Sequence, residues 1–198
     1  MRAMSNEADL KTPVLLLAMP QVYDPFFNRS VVLLVHHDEE GSFGLIVNRA
    51  TDILIRDILL GMEIEWQGDP DAVAHFGGPV RPQLGTILFT QMPDDAPLSD
   101  AVAEVAPGLA ITQHVHDLTQ LAAEPPGAFR LFLGYAGWGA SQLMDEILRN
   151  DWLIAPVTHE LLFDIDRGLI WEEALRSVGI DPSTLPAWTT PAGEGSAN

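Results

Sequence analysis

His114 and His116, with Asp117 beside them, are the residues best suited by type to chemistry. In an extended chain alternate side chains share a face. The two imidazoles would then point one way and, with a carboxylate, begin a zinc-type site. A third ligand would have to come from His36, His37, His75 or a distant acid. His36 and His37 are adjacent, so on a strand their rings point to opposite faces. Two imidazoles do not make a site, and neither a metal nor another cofactor is expected. A hydrolase using a metal at His114 and His116 is the runner-up reading of the chain. No serine sits in a Gly-x-Ser-x-Gly elbow, and Ser30 and Ser141 have no base visible nearby in sequence. No residue is therefore assigned a catalytic role.

A second kind of chemistry is offered by the segment Gly134-Tyr135-Ala136-Gly137-Trp138-Gly139-Ala140-Ser141-Gln142. It reads as the end of a strand, a glycine-rich turn carrying an exposed tryptophan, and a helix start. Free N–H groups at such a start suit an anion. The glycine spacing fits neither a dinucleotide fingerprint nor a P-loop, and no Lys-Ser/Thr follows. Asp145 and Glu146 already complement the helix dipole, and Asp145 is placed to pair with Arg149 four residues on. The residues that packing explains least are Asn48, the turn Gly77-Gly78-Pro79, Gly137, Trp138 and Gln142. Loops at strand ends commonly carry binding sites. These residues are taken as one candidate surface for a protein partner or small ligand, gathered at one end of a sheet.

The elements that must position them follow from hydrophobic patterning. Val14 to Ala18 is a continuous apolar run suited to a strand buried on both faces. Ser30 to His36 and Phe43 to Asn48 read as a hairpin around Asp38 to Gly41. Asp52 to Leu60 reads as a helix closing at Gly61. Val73 to Phe76, Thr86 to Thr90, Leu109 to His114, Phe129 to Leu133 and Trp152 to Ala155 read as strands. Asp117 with Gln120 three residues on reads as a capped helix start. Trp171, Leu175 and Val178 share a face of a last helix, ended by Gly179. The expected fold is α/β (α+β): one compact domain over residues 12–186, a mixed, twisted β-sheet of about seven strands flanked by short helices. Residues 1–11 and 187–198 are expected to be flexible tails.

Charge narrows the function classes. The chain has 198 residues and a net charge of −18, from 28 carboxylates against 10 Lys and Arg. Nucleic-acid binding rests on neutralising phosphates with basic side chains. The arginines here are scattered, so direct DNA binding is disfavoured, and neutral or basic partners fit better. Cysteine is absent, which removes disulfides and thiolate chemistry. No apolar run approaches the about 20 residues of a membrane span. An acidic, soluble, cytoplasmic protein is expected.

The glycine segment, followed by Glu146-Ile147 and Trp152-Leu153, resembles the signature of the YqgE/AlgH family. Phe27-Asn28-Arg29-Ser30-Val31-Val32, Gly44-Leu45-Ile46-Val47-Asn48-Arg49 and Gly77-Gly78-Pro79-Val80 agree with it in the same order. The resemblance covers about residues 12 to 180. Ala50 stands where the family often has proline, and Met144 where it often has glutamate. The resemblance implies a compact domain with a mixed, twisted sheet flanked by helices, and no established enzyme activity. The family is largely uncharacterised. Some relatives carry a transcriptional-regulator label, from effects on alginate production, without a recognised DNA-binding motif. The leading reading is a non-enzymatic regulatory or interaction domain; a DNA-binding regulator comes third, behind the hydrolase.

Overall fold

In a computed structural model describing residues 10–90 and 97–186, the first strand, β1 (Val14–Ala18), lies between two others. Leu15, Leu16 and Leu17 are all fully buried. A strand covered on both faces reads as an unbroken apolar run, as this one does. It pairs with β2 (Val31–His37) and with β10 (Trp152–Ala155), both antiparallel. β2 turns through Asp38, whose carboxylate accepts from the N–H groups of Glu40 and Gly41, into β3 (Gly41–Ile46).

The spine of the sheet is β9 (Phe129–Gly139), eleven residues long. Its last four residues pair with β3, Gly41 opposite Gly139 and Gly44 opposite Ala136. Its first half pairs with β6 (Val80–Thr90), Gly85 opposite Leu133 and Phe89 opposite Phe129. On the edge shared with β3, β5 (Val73–Phe76) runs parallel to it, His75 opposite Phe132. β4 (Ala50–Leu54) pairs with β5, and β8 (Leu109–Thr112) and β7 (Ala103–Ala106) extend the sheet beyond β6. The order is β10-β1-β2-β3-β9-β6-β8-β7, with β4 and β5 branching off β9. The result is one α+β domain with a curled, mainly antiparallel sheet. The described residues form ten strands where about seven are expected. No helix of the described residues is long and apolar enough to cross a membrane.

Helices cover the sheet in three places. α4 (Ile170–Ser177) and a π-helical turn at Glu160–Asp164 pack Trp171, Leu175 and Leu162 against Leu15, Leu17, Leu33 and Phe132. α1 (Ile55–Leu60) and α2 (Val115–Ala123) cover Ile87, Phe89 and Leu131. α3 (Gln142–Leu148) puts Leu143 on Leu16, Val32 and Ala136, on the face of β1 opposite α4. Gly179 closes α4 at φ +81, the left-handed cap expected of it.

Four local readings are corrected. Ala50–Leu54 is strand, and the helix expected from Asp52 starts only at Ile55. The Thr51 hydroxyl donates to the Ala74 carbonyl at 2.8 Å and accepts from Ile53 N–H, which ties the segment to β5. α2 starts at Val115, two residues before Asp117. The strand expected to stop at Leu133 runs through the glycines to Gly139. Arg149 pairs with Asp151 at 2.8 Å, where Asp145 was its expected partner. The expected tails lie outside the described residues except for Leu10, packed at the edge of the α3 core, and Lys11.

Candidate functional site

Because β9 continues past Gly134, side chains alternate to its end. Ala136 and Trp138 fall on the α3 face and are buried, whereas Gly137 and Gly139 are exposed. Trp138 is 6% exposed, so the exposed loop tryptophan of the sequence reading is instead part of the core. Its indole packs at the centre of an aromatic cluster, 5.8 Å edge-to-face from Trp152 and 6.2 Å from Phe27. Buried indole N–H groups need acceptors. Both find the same one: Glu146 Oε2 accepts from Trp138 Nε1 at 2.8 Å and from Trp152 Nε1 at 2.7 Å.

Gln142 and Glu146 stand four apart on α3, one above the other. The Gln142 amide donates to Glu146 Oε1 at 2.9 Å, and its own carbonyl accepts from Gly139 N–H at 3.1 Å. This second bond ties the end of β9 to the first turn of α3, where Ser141 takes the left-handed conformation, φ 61. Glu146 thus accepts from three side-chain donors.

Beside this network opens a cleft of about 320 Å³ between α3 and the β1–β2 connection, lined by Tyr23, Asp24, Phe27, Trp138, Gln142 and Glu146 among others. That volume suits a small ligand or one anchoring side chain. The floor is aromatic. Around it stand the carboxylates of Asp24, Glu146 and Asp151, against one guanidinium, Arg149. Asp24 shapes the wall by accepting from Phe26 N–H and Phe27 N–H at 2.8 and 3.3 Å. Tyr23 remains half exposed at the rim.

Of the residues singled out in the sequence, Gly137, Trp138 and Gln142 meet at this cleft. Asn48 stands behind it and holds the wall: its carbonyl accepts from Val31 N–H and its amide donates to the Arg29 carbonyl, both at 2.9 Å. The clamp fixes Arg29 at φ 52, two residues after Phe27. Gly77 and Gly78 are buried against β9. Gly77 N–H donates to the Leu133 carbonyl and its carbonyl accepts from Ile46 N–H. Pro79, half-buried, leads into β6. The histidine reading fails on backbone geometry. His114 is the residue before α2 and His116 lies in its first turn, so the extended chain that would align them is absent. Asp117 is turned inward, accepting from the hydroxyls of Thr112 and Ser99 and from Ser99 N–H.

Glu146, Trp152, Phe27, Tyr23 and Asp24 belong to the site and were not singled out as site residues. A signal for Glu146 exists in its i,i+4 spacing from Gln142. Tyr23 and Asp24 carry none, since their place depends on how the β1–β2 connection folds over α3.

The curled, mainly antiparallel sheet with its few short helices defines a small α+β domain with counterparts of known structure. The AlgH protein of Pseudomonas aeruginosa superposes with a TM-score of 0.69 at 31% identity, covering 90% of this chain and 94% of that one. Protein DIP2367 of Corynebacterium diphtheriae gives 0.68 at 25% identity, over 90% and 91%. Residues 15–183 match the AlgH-like family. A UPF0301 protein of Myxococcus xanthus is 38% identical over 174 residues, 87% of this chain and 93% of its own length. One from Shewanella woodyi is 38% identical over 172 residues, 84% and 90%. The chain belongs to the AlgH-like family.

Proposed function

We propose that the protein is a non-enzymatic interaction domain that binds a protein partner or small ligand in the cleft between α3 and the β1–β2 connection. The observation that supports this most is the cleft's chemistry: an aromatic floor under a rim of three carboxylates and one guanidinium. Such a surface suits a cationic side chain, which gains from aromatic faces and from carboxylates together. The net charge of −18 favours encounter with a basic partner over the same distance range. Glu146 supports binding over catalysis, because its oxygens accept from two indoles and an amide. A regulatory role would then act through the bound partner.

Native mass spectrometry of untagged protein from its own host, prepared without added metal or chelator, tests this. The wild type is expected to carry an added mass that is lost from the Tyr23→Ala and Asp24→Asn variants while both keep their fold. An added mass retained by both variants, or a bare wild-type mass, counts against the cleft.

A further inference from the structure

The sheet face under α1 and α2 is built in rungs. Alternate residues of a strand share a face, so Phe89, Ile87 and Gly85 of β6 lie in one row. Opposite them on β9 stand Phe129, Leu131 and Leu133. Phe89 and Ile87 are buried and fill the first two rungs beneath Leu59, Leu118 and Leu121. The third rung has Leu133 on one strand and no side chain on the other.

Neither backbone nor packing requires that glycine. Gly85 is not among the glycines of positive φ. A Cβ placed on it would meet only Leu131 Cδ1, at 3.5 Å, which is ordinary contact. At Gly44 and Gly77 the same atom would lie 2.7 and 2.3 Å from a neighbour. The β6–β9 register shifts between Val80 and Gly85, but a bulge needs glycine only where φ is left-handed. Glycine weakens a strand interior and otherwise marks a place where a backbone or a ligand comes close. No backbone lies within 4 Å of that Cβ position.

The missing side chain opens a pocket of about 230 Å³ between the two helices. Ile58 and Met62 close it on the α1 side, Val115 and Leu118 on the α2 side. None of its twelve lining residues is Asp, Glu, Lys or Arg, in a chain with 28 carboxylates. Such a wall penalises a charged ligand and rewards an apolar one. One polar group is held at the pocket: the Gln113 amide donates to the buried Thr86 hydroxyl at 2.9 Å, which leaves the Gln113 carbonyl oxygen as an acceptor.

We propose that the pocket over Gly85 binds a small uncharged aromatic molecule with one hydrogen-bond donor. Its ring takes the place of the missing side chain, and its donor is received by Gln113 Oε1. The site lies apart from the α3 cleft and does not depend on the function proposed for it.

The test is titration of the full-length protein with indole, with indene (the same shape without the N–H) and with benzoate, a charged ring. Methyl and backbone amide NMR shifts provide the readout. Indole should give saturable shifts at Gly85 and at the methyl groups of Ile58, Ile87, Leu118 and Leu131. Indene should bind more weakly, and benzoate not at all. Indole affinity should fall at least tenfold in Gly85→Val, which fills the rung. It should be unchanged in Leu60→Ala, whose side chain is 75% exposed on α1 outside the pocket. Equal affinity in Gly85→Val overturns the site, and equal binding of indene overturns the part given to Gln113. A wild type whose indole shifts are absent, or confined to the Trp138 and Trp152 N–H groups, also overturns the site; that result needs no variant to fold.

Discussion

Trp138 and Trp152 stand edge to face, 5.8 Å apart, and donate to a single oxygen of Glu146. One carboxylate on α3 thereby fixes the end of β9 and the start of β10 together. Removing it leaves two buried indole N–H groups without an acceptor. At about 1–3 kcal/mol for each unsatisfied buried donor, Glu146→Ala should destabilise by about 2–6 kcal/mol. Glu146→Gln keeps an oxygen for the indoles but turns an amide N–H toward the Gln142 donor, so a loss of about 1 kcal/mol is expected. Urea unfolding of both variants checks the order. An alanine variant within about 0.5 kcal/mol of wild type would refute the anchor role.

The crossing of β5 and β9 depends on backbone atoms packed against each other. Gly78 sits at φ +150, and a Cβ there would lie 2.1 Å from the Tyr135 carbonyl carbon. Gly134 sits at φ +69, where a Cβ would lie 2.3 Å from the Gly78 oxygen. Gly108, at φ +76, has open space around it. Alanine at Gly108 should therefore cost only the conformational penalty, about 1 kcal/mol. Alanine at Gly78 or Gly134 should cost more than about 3 kcal/mol, because backbone must move as well. Comparable midpoints for Gly78→Ala and Gly108→Ala in denaturant would show that the crossing tolerates a side chain.

These glycines also show what was legible in the sequence. Gly77-Gly78 reads as a stretch needing a bare backbone, but the partner that Gly78 approaches, Tyr135, is 57 residues further on. Gly134 reads locally as a strand end; only the facing Gly78 explains why the strand continues. Once β9 is known to be a strand, period-two alternation places Trp138 inside with Ala136, so its burial was recoverable from sequence and its exposure was misread. β4 was missed because Asp52 onward reads as a helix start, and β7 because Ala-Glu-Val-Ala holds a single β-branched residue in four; their pairing partners define both strands.

Asp117 resembles a helix cap by type yet is fully buried inside the first turn of α2. Burial raises its pKa, but the Thr112 hydroxyl and the Ser99 N–H and hydroxyl together outweigh it, so the net shift is downward. A carboxyl with a lower pKa folded than unfolded contributes stability that is present above the unfolded value of about 3.9 and is lost as pH falls through the folded value. An acid limb of unfolding below about pH 4 is expected, and Asp117→Asn should flatten it. The same variant should lose about 1–3 kcal/mol at pH 7, since its amide N–H would oppose a donor. Unfolding midpoints at pH 7 and across the acid limb provide the check; an unchanged limb in the variant would assign it to other carboxylates.

His75 acts in a higher pH window, and with a definite sign. Its folded pKa, about 3, lies below the ordinary value of 6.5 because the ring is buried and feels the charges of Arg130 and Arg167. Below pH 6.5 the unfolded chain takes up a proton that the folded chain refuses. Folding stability must therefore fall as pH drops from 6.5 toward 3. Each unit within that window corresponds to 1.36 kcal/mol of differential proton binding, so about 2 kcal/mol should be lost between pH 7 and 5. The Asp117 contribution is still intact in that range, which separates the two groups. Replacing the ring with a side chain that does not titrate, as in His75→Gln, should remove the slope between pH 7 and 5 even if it lowers stability throughout. Urea midpoints of wild type and variant at the two pH values measure it. A slope that persists in His75→Gln would mean that another group takes up the proton, and that burial of the His75 ring is not what sets the slope.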